Sequence, residues 1–160
     1  MVAGLQDPRI TAFGLFTEAH AGLVARLSAH LSEHGMSLVE FEVMIRLGRS
    51  PEHRLRMTEL AGQVALTTSG ITRVVDRLER EGLVRRQACP EDRRGLWAVL
   101  TPEGLERLSA ALPGHLALLE QLFTGRFPPD ELATLMNRLR DIRDEVNPTA
   151  APAPTAALPR

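Results

Sequence analysis

The 160-residue sequence contains no lysine, no tyrosine and only one cysteine, Cys89. A single cysteine cannot form an internal disulfide, so nothing in the composition indicates an oxidising compartment. No apolar run approaches the length needed to span a bilayer, and the N-terminal MVAGLQDPRI lacks the order of basic, apolar and small residues that marks a signal peptide. These absences predict a cytoplasmic protein with no membrane partner.

Arginine supplies all of the basic side chains, and acidic residues balance them. The 19 basic residues face 20 acidic ones, for a formal net charge of −1, which excludes a nucleic-acid binder that works through global charge. Any basic site must therefore be local. Residues 67–94 carry seven arginines against five acids, whereas residues 101–146 carry five against eight. A mildly basic centre is thus followed by an acidic C-terminal arm.

Apolar spacing predicts two helices in the first third of the chain. Residues 10–33 place large side chains three or four positions apart on one helix face: Phe13, Phe16, His20, Leu23, Leu27 and Leu31. Ser37 precedes Glu40 at the spacing of a capping box, in which each side chain bonds the other's backbone N–H. A second helix, SLVEFEVMIRLG, is expected to bury Leu38, Phe41, Met44, Ile45 and Leu47. GRSPEHRLR, with glycine, proline and several charges, is predicted to be a loop.

A short helix, a longer helix and a β-hairpin are predicted next. Thr58 is placed to cap TELAGQVA, and Thr67 to cap TTSGITRVVDRLERE. The longer helix should end at Gly82, in a left-handed conformation, with Leu83 packing back. Beyond Leu83 the apolar period falls to about two. VRRQA and LWAVL flank CPEDRRG, which predicts a hairpin with a turn longer than two residues.

Two more helices are predicted up to residue 146. Thr101 and Pro102 have the residue types of an N-cap and a first helical position, and a leucine face follows: Leu105, Leu108, Leu112, Leu116, Leu119 and Leu122. Pro113 and Gly114 should kink or break this helix, because the proline ring clashes with the carbonyl four residues earlier. A last helix from Pro128 aligns Leu132, Leu135, Met136, Leu139, Ile142 and Val146. The tail, NPTAAPAPTAALPR, has too few large apolar residues to fold.

Helix, short helix, longer helix and hairpin form, in this order, the plan of a winged helix-turn-helix domain. With the flanking helices they predict a mainly α fold with a small β-hairpin wing (α+β). One face of the fourth helix is apolar (Ile71, Val74, Val75 and Leu78), and the other is polar (Ser69, Thr72, Arg73, Asp76, Arg77 and Arg80). Small hydroxyls followed by arginines suit a helix that enters a DNA major groove. The alternative is a solvated face with charge pairs, such as Asp76 with Arg80.

The hairpin favours the DNA-binding interpretation of that helix. Arg93 and Arg94 lie where a wing would reach the neighbouring minor groove, whose narrow A·T stretches attract inserted arginine. We interpret Asp92 as an internal partner that orients one of these two arginines. The two adjacent arginines therefore have a candidate role at the groove.

The segment TELAGQVALTTSGITRVVDRLEREGLVRRQACPEDRRGLWAVLTPEG resembles the central part of the MarR family of bacterial transcription regulators. The shared features are a capped ELA helix, a hydroxyl-rich start to the next helix, a VDRLE-x-x-GLV-x-R run, and a wing ending D-R-R before a strand and LT-x-x-G. The S-x-x-E-F of the second helix and the helical arms extend the similarity over about residues 10–146.

The resemblance implies a homodimer in which the first helix and the last two helices of each chain interlock. Its parts would be a helical dimerisation arm (1–36), a winged DNA-binding domain (37–101), a second helical dimerisation arm (102–146) and a disordered tail (147–160). The two winged domains would bind a pseudo-palindromic operator in double-stranded DNA. The implied function is that of a transcriptional repressor released by a small-molecule effector, with no cofactor.

The resemblance also assigns DNA contacts by position. The fourth helix would bring Thr67, Thr68, Ser69, Thr72 and Arg73 to the bases. Arg77 would meet the DNA backbone. Arg94, beside Arg93 and steadied by Asp92, would enter the minor groove.

The family commonly binds small aromatic or phenolic acids between the dimer arms and the winged domain. The candidates to line such a cavity here are Phe16, His20, Phe41 and Met44. Ordinary core packing is the alternative for each of them, because apolar stripes usually pack.

Other functions are weighed against DNA binding. A winged helix can serve as a protein-docking module without DNA binding, and it would then show no steep salt dependence toward duplex DNA. A metal-responsive regulator would use His30 and His34, one turn apart, with His115, but the number of ligands favours ordinary histidines. Cys89, before Pro90 on an exposed wing, is interpreted as incidental rather than as a redox sensor. No nucleophile, base and orienting group occur at recognisable spacing, so an enzyme is not expected.

Overall fold

The chain alternates α-helices with a three-stranded antiparallel sheet in a computed structural model that describes residues 4–89 and 92–150, with the backbone alone at 92–94. The helices are α1 (Pro8–Glu33), α2 (Leu38–Arg49), α3 (Met57–Gln63), α4 (Thr68–Arg80), α5 (Pro102–Leu122) and α6 (Pro129–Val146). The strands β1 (Arg54–Arg56), β2 (Val84–Cys89) and β3 (Asp92–Leu100) are ordered β1-β3-β2. Short 3₁₀ helices cover Pro51–His53 and Thr124–Arg126. The predicted mainly α fold with a hairpin wing is confirmed.

The amino-terminal caps follow the hydrogen bonds that the sequence predicts. In the capping box of α2, Glu40 N–H donates to Ser37 Oγ at 3.3 Å, and Ser37 N–H donates to Glu40 Oε2 at 2.8 Å. Thr67 caps α4 by accepting from the amide of Gly70 at 3.1 Å. Thr101 caps α5 in the same way, and Pro102 is the first helical residue. These local signals are confirmed.

The carboxyl end of α4 is also confirmed. Gly82 has a φ of +74°, a left-handed conformation that glycine adopts without a steric penalty. This turn lets the amide of Leu83 donate to the carbonyl of Leu78 at 2.9 Å, and the Leu83 side chain packs into the core. The direction in which the hairpin leaves α4 is therefore set by one glycine.

The predicted loop over residues 48–56 is wrong at its carboxyl end. Arg54–Arg56 form β1, whose partners on β3 run from Val99 to Trp97. Three residues are too few to show a strand period, so this strand depends on the edge of β3 that it meets. The predicted cap at Thr58 is also wrong. Helix α3 begins at Met57, and its N-cap is Arg56, two residues before Thr58; the amide of Arg56 donates to the carboxylate of Glu59 at 3.2 Å.

The strands of the hairpin are longer than predicted. β2 and β3 pair from Val84 with Leu100 out to Cys89 with Asp92, with an irregularity after Ala88. The backbone of residues 93–94 therefore lies in β3 and not in a turn. Polar residues at the outer end of a hairpin have no burial pattern, so the sequence did not reveal this extension. The side chains predicted for the groove, on Asp92, Arg93 and Arg94, lie outside the described residues, as do residues 90–91.

Cys89 is buried, which corrects its predicted position on an exposed wing. Its Sγ accepts from Nη2 of Arg56 at 3.7 Å, so the side chain of a β1 residue packs over it. The sequence could not show this, because β1 was itself not predicted.

Helix α5 is continuous through Pro113, so of the predicted kink or break the break is wrong. Packing against α1 supports this segment. A Cβ at Gly114 would lie 2.4 Å from the ring of His30, so only glycine permits this approach of the two helices. Nε2 of His30 lies 3.1 Å from the carbonyl oxygen of Ala111 and donates to it. These contacts offset the backbone hydrogen bond that proline removes.

The apolar core lies within the winged domain and at its junction with α1 and α5. Its fully buried large side chains come from these elements: Leu31, Val43, Met44, Leu47, Leu60, Ile71, Val75, Leu78 and Val84. The apolar face predicted for α4 is thus confirmed, with Val74 partly buried beside it. Leu38 and Ile45 of the face predicted for α2 are likewise only partly buried.

The helices outside the winged domain leave large apolar side chains exposed. On α1, α5 and α6 these include Ile10, Phe13, Leu15, Phe16, Leu116, Ile142 and Val146. On α6, Leu132 is the buried member of the predicted apolar face. No helix in the described chain has the length and apolarity required to cross a membrane. Residues 151–160, most of the predicted disordered tail, lie outside the described residues.

Candidate nucleic-acid interface

The amino-terminal end of α4 presents the predicted hydroxyl groups to solvent. Thr67, Thr68, Ser69 and Thr72 are all exposed. Thr67 Oγ1 caps the helix and lies 3.2 Å from Ser69 Oγ, while Thr72 Oγ1 donates to the carbonyl of Thr68 at 2.8 Å. A hydroxyl has one donor and two acceptor positions, so these groups retain capacity to bond base edges or phosphates. The predicted groove-facing hydroxyls therefore lie together at one helix end.

The two arginines predicted on the same face of α4 differ in their surroundings. Arg73 is exposed and makes no hydrogen bond or ion pair with another residue that the structure describes. Arg77, one turn further on, has its Nε 2.9 Å from Oε1 of Glu40 and 3.4 Å from Oε1 of Glu81. Arg73 is thus available to a ligand, whereas Arg77 is held by the protein.

Arg86 of β2 ties the polar side of α4 to the hairpin. Its guanidinium lies 2.7 Å from Asp76 and also contacts Glu79, and its amide donates to Glu79 Oε1 at 2.8 Å. Burial lowers the pKa of Arg86, but the hydrogen bonds and charges of Asp76 and Glu79 outweigh it and raise that pKa above its ordinary value. Arg86 therefore stays charged. Asp76 pairs with it, and Arg80 instead donates to the Asp76 carbonyl at 3.3 Å.

A cleft of about 340 Å³ separates the start of α4 from the hairpin and α3. It is lined by hydroxyl and guanidinium groups together with a few apolar side chains: Arg56, Met57, Thr58, Thr68, Thr72, Arg86, Gly95 and Leu96. The hydroxyls of Thr58, Thr68 and Thr72 can donate hydrogen bonds to phosphate oxygens, whereas Arg86 is already paired with Asp76 and Glu79. The hydroxyl side of the cleft is therefore suited to contact a DNA strand.

Sequence reasoning missed the two arginines of β1 in this surface. The guanidinium carbons of Arg54 and Arg56 lie 4.9 and 5.4 Å from the centroid of the Trp97 ring, within cation–π distance. Arg54 also pairs with Glu52 at 2.7 Å. The signal that could have found them is the alternation of arginine and leucine in RLR, which is too short to stand out beside a proline.

The four residues predicted to bind an effector do not form one cavity. The rings of Phe16 and His20 stack with centroids 6.4 Å apart, in a groove of about 530 Å³ lined mostly by apolar side chains of α1, α5 and α6. Phe41 and Met44 are 4% and 0% exposed and belong to the core. Core packing, the alternative for each residue, thus describes Phe41 and Met44 but not Phe16 and His20.

The three histidines of the metal hypothesis do approach one another. The ring centroids of His30 and His34 are 5.0 Å apart, and those of His30 and His115 are 6.4 Å apart. However, Nε2 of His30 is already bonded to the Ala111 carbonyl. Within the described chain, no group of three or more His, Cys, Asp or Glu side chains could hold a metal ion. The rings instead pack between α1, α2 and α5, with His115 against Phe41 at 4.4 Å.

His115 is predicted to make the fold sensitive to acid. Its side chain is buried, its Nδ1 has no hydrogen-bond partner among the described residues, and burial, with the nearby His30, lowers its pKa. The unfolded chain therefore binds this proton at a higher pH than the folded chain, near the ordinary value of about 6.5. As the pH falls through about 6.5, the free energy of unfolding should decrease.

Urea denaturation at several pH values between 7.5 and 5.5 measures this effect. We expect His115→Gln to flatten the pH dependence of the midpoint, and the exposed His20→Gln to leave it unchanged. If the urea midpoint of His115→Gln changed with pH as much as that of the native sequence, a group other than His115 would be responsible for the pH dependence.

This fold and surface define a class of protein: a winged helix domain joined to long helices at both ends. Its α4 is exposed at the amino-terminal end and takes the place of a recognition helix, the helix that enters the DNA groove. Comparison with known proteins narrows the class. The MarR family model matches residues 36–96. The HTH-type transcriptional repressor YetL of Bacillus subtilis (strain 168) is 30% identical over 129 residues, which cover 78% of this chain and 77% of YetL.

Solved structures agree over nearly the whole chain. AbsC, a MarR family transcriptional regulator from Streptomyces coelicolor, is 31% identical with a TM-score of 0.85, covering 91% of this chain and 98% of AbsC. Sco3205, a MarR family regulator of the same organism solved in complex with DNA, is 34% identical with a TM-score of 0.85, covering 92% and 93%. The chain belongs to the MarR family, and it is a transcriptional regulator.

Proposed function

We propose that this regulator binds a pseudo-palindromic operator in double-stranded DNA as a homodimer, and represses transcription until a small-molecule effector releases it. The observation that carries the proposal is the amino-terminal end of α4, where four hydroxyls and Arg73 are exposed and where Thr68 and Thr72 also line a cleft. The solved complex of Sco3205 with DNA supports it by similarity. The protein would act in the cytoplasm, as a binding protein and not as an enzyme.

The proposed DNA contacts divide into specifying and positioning groups. Thr67, Thr68, Ser69, Thr72 and Arg73 would approach base edges, because they share the exposed end of α4. The cleft beside them would bind the sugar-phosphate backbone of one DNA strand, with Arg56 as one hydrogen-bond donor. Arg94, with Arg93 and Asp92, would extend the contact into the minor groove from the outer end of the hairpin.

A homodimer would account for the apolar surface of the terminal helices. Large side chains on α1, α5 and α6 are more than half exposed in the single chain, including Phe13 and Val146. Apolar patches of this kind mark association surfaces. Residues 1–36 and 102–146 would thus be dimerisation arms that place two winged domains on one operator.

The effector would be a small aromatic molecule. The groove that Phe16 and His20 line has mostly apolar walls, which suit an aromatic ring, and Arg126 in its lining could meet an acidic substituent. The groove opens on the apolar faces of α1, α5 and α6, so a partner chain would complete its remaining wall.

A footprint over the intergenic DNA upstream of the gene tests the proposed function. We expect protection of two half-sites about one helical turn apart, together with operator affinity that falls steeply as salt increases. Binding to duplex DNA that is absent or independent of salt would favour a protein-docking module instead.

Arg94→Ala is predicted to weaken operator binding by about 1–3 kcal/mol and to lower the salt slope by roughly one unit for each wing, because each wing loses one positive charge at the minor groove. Gel-shift titrations over a range of salt concentrations measure both quantities. Arg49→Ala is the matched control, since it removes an exposed arginine at the carboxyl end of α2, outside the proposed DNA contacts and both dimerisation arms. Unchanged affinity and unchanged slope for Arg94→Ala would reject the wing contact.

A further inference from the structure

We propose that Glu40 and Arg77 form a positioning pair that sets the angle of α4 against the rest of the winged domain. On this view Arg77 contributes to operator recognition by holding the recognition helix, and not by the phosphate contact that its sequence position predicts. The inference rests on the proposed DNA binding and assigns a role within it to a residue of α2.

The Glu40 carboxylate is buried at the start of α2. Its side chain is only 5% exposed, and Oε2 accepts from both the amide and the hydroxyl of Ser37, at 2.8 and 2.9 Å. Oε1 faces Nε of Arg77 at 2.9 Å. A carboxylate removed from water requires a positive partner and filled hydrogen-bonding positions. Arg77 is therefore the group that neutralises a buried charge.

The ion pair adds a specific contact to the apolar packing of α4. Ile71, Val75 and Leu78 bury the inner face of the helix, but apolar burial is not directional and by itself leaves the rotation and tilt of the helix less constrained than a short contact between two named atoms does. Glu40 lies in the first turn of α2, whose Val43 and Met44 are fully buried. The pair thus joins the outer side of α4 to a helix that cannot move independently of the core.

The polar contacts of Arg77 continue beyond α4 to α5 and α1. Arg77 also faces Glu81, and Oε2 of Glu81 lies 4.0 Å from Nη1 of Arg107 on α5. The same Nη1 donates to the carbonyl of His34, at the end of α1, at 3.2 Å. A series of polar contacts therefore connects the recognition helix with both helices that lead into the proposed dimerisation arms.

Arg77 has its Nε 2.9 Å from Oε1 of Glu40 and donates from Nε to Oε1 of Glu81 at 3.4 Å, while its side chain is 54% exposed. Turning Nε away toward a phosphate would leave the Glu40 carboxylate buried without its positive partner, which costs more than one exposed phosphate contact contributes. The position of Nε therefore favours the positioning role. The salt dependence of Arg77→Gln tests for a phosphate contact made by the two Nη groups instead.

The test compares Glu40→Gln, Arg77→Gln and the double variant in operator and random-duplex titrations over a range of salt concentrations. Glutamine at position 40 can still accept from the Ser37 amide, so the capping box survives while the charge is lost. We expect each single variant to weaken operator binding roughly tenfold, the double variant to be no weaker than either, and the salt slope to stay unchanged. Glu42→Gln on α2 and Arg80→Gln on α4 are the charge-matched controls.

The expected result for Glu40→Gln is opposite in sign to simple electrostatics, because removing a negative charge should by itself strengthen DNA binding. Stronger or unchanged binding by Glu40→Gln, or a salt slope lowered by about one unit in Arg77→Gln, would overturn the proposal and restore the phosphate contact. Circular dichroism melting establishes whether each variant is folded at the assay temperature. If Glu40→Gln is not folded, the salt dependence of operator binding by Arg77→Gln decides the test alone. Failure of the native protein to bind upstream DNA would instead overturn the proposed function. The native protein therefore tests the proposed function, and the variants test the positioning pair.

Discussion

Replacing Ile142 with glutamate is expected to separate the two chains and to lower operator affinity by at least about 100-fold. Ile142 is 58% exposed on α6 in the single chain, within the apolar surface that the proposed dimer would bury. A carboxylate buried without a partner in an apolar interface costs several kcal/mol. Because each winged domain would read one half-site, a monomer loses the second half-site and the effective concentration that links the two.

Sedimentation velocity at micromolar concentration and gel-shift titration measure the two parts of this prediction. Asp141→Ala is the neighbouring control, because Asp141 pairs with Arg138 at 3.6 Å on the exposed side of α6. The control should remain dimeric and bind the operator normally. A native protein that is a stable folded monomer under these conditions would contradict the proposed dimer, whatever the variant does.

Local signals allowed most helix ends to be predicted from the sequence. Ser37, Thr67 and Thr101 each cap a helix through a hydrogen bond to a residue three positions on, and Gly82 supplies the one backbone conformation that ends α4. These interactions join residues close in sequence, so their spacing carries the information. Strand β1 was missed because its stability comes from β3, more than 40 residues away in the chain.

In the candidate site, too, the features that depend on local spacing could be predicted, and those that depend on contacts between distant segments could not. Helical periodicity correctly placed the hydroxyls and Arg73 on the open face of α4. Periodicity places Arg77 on that face too, but it does not show that the first turn of α2 brings Glu40 within 2.9 Å. Similarly, the family resemblance implied one effector cavity lined by four residues, whereas the fold buries two of them, Phe41 and Met44, in the core. Contacts between segments distant in the chain determine the surroundings of these residues, and a single sequence does not show such contacts directly.

Arg73→Ala is expected to reduce discrimination between operator and random duplex by about 1–3 kcal/mol in each half-site, because a base contact specifies sequence whereas a phosphate contact does not. The structure gives this side chain no competing partner among the described residues, and it lies beside Thr72 at the exposed end of α4. The variant should remain folded, since no described interaction is lost. Affinities for both duplexes must be measured at one fixed salt concentration, because counterion release otherwise changes with the charge.

Arg80→Ala is the control for the Arg73 prediction, since Arg80 is an exposed arginine of the same helix that lies about two turns further from the tip. It should lower operator and random-duplex affinity by a similar small factor and leave their ratio intact. The contrast between the two variants isolates sequence reading from loss of charge. If Arg73→Ala also lowered both affinities equally, specificity would have to come from the hydroxyls of Thr67, Ser69 and Thr72, or from the sequence-dependent shape of the DNA.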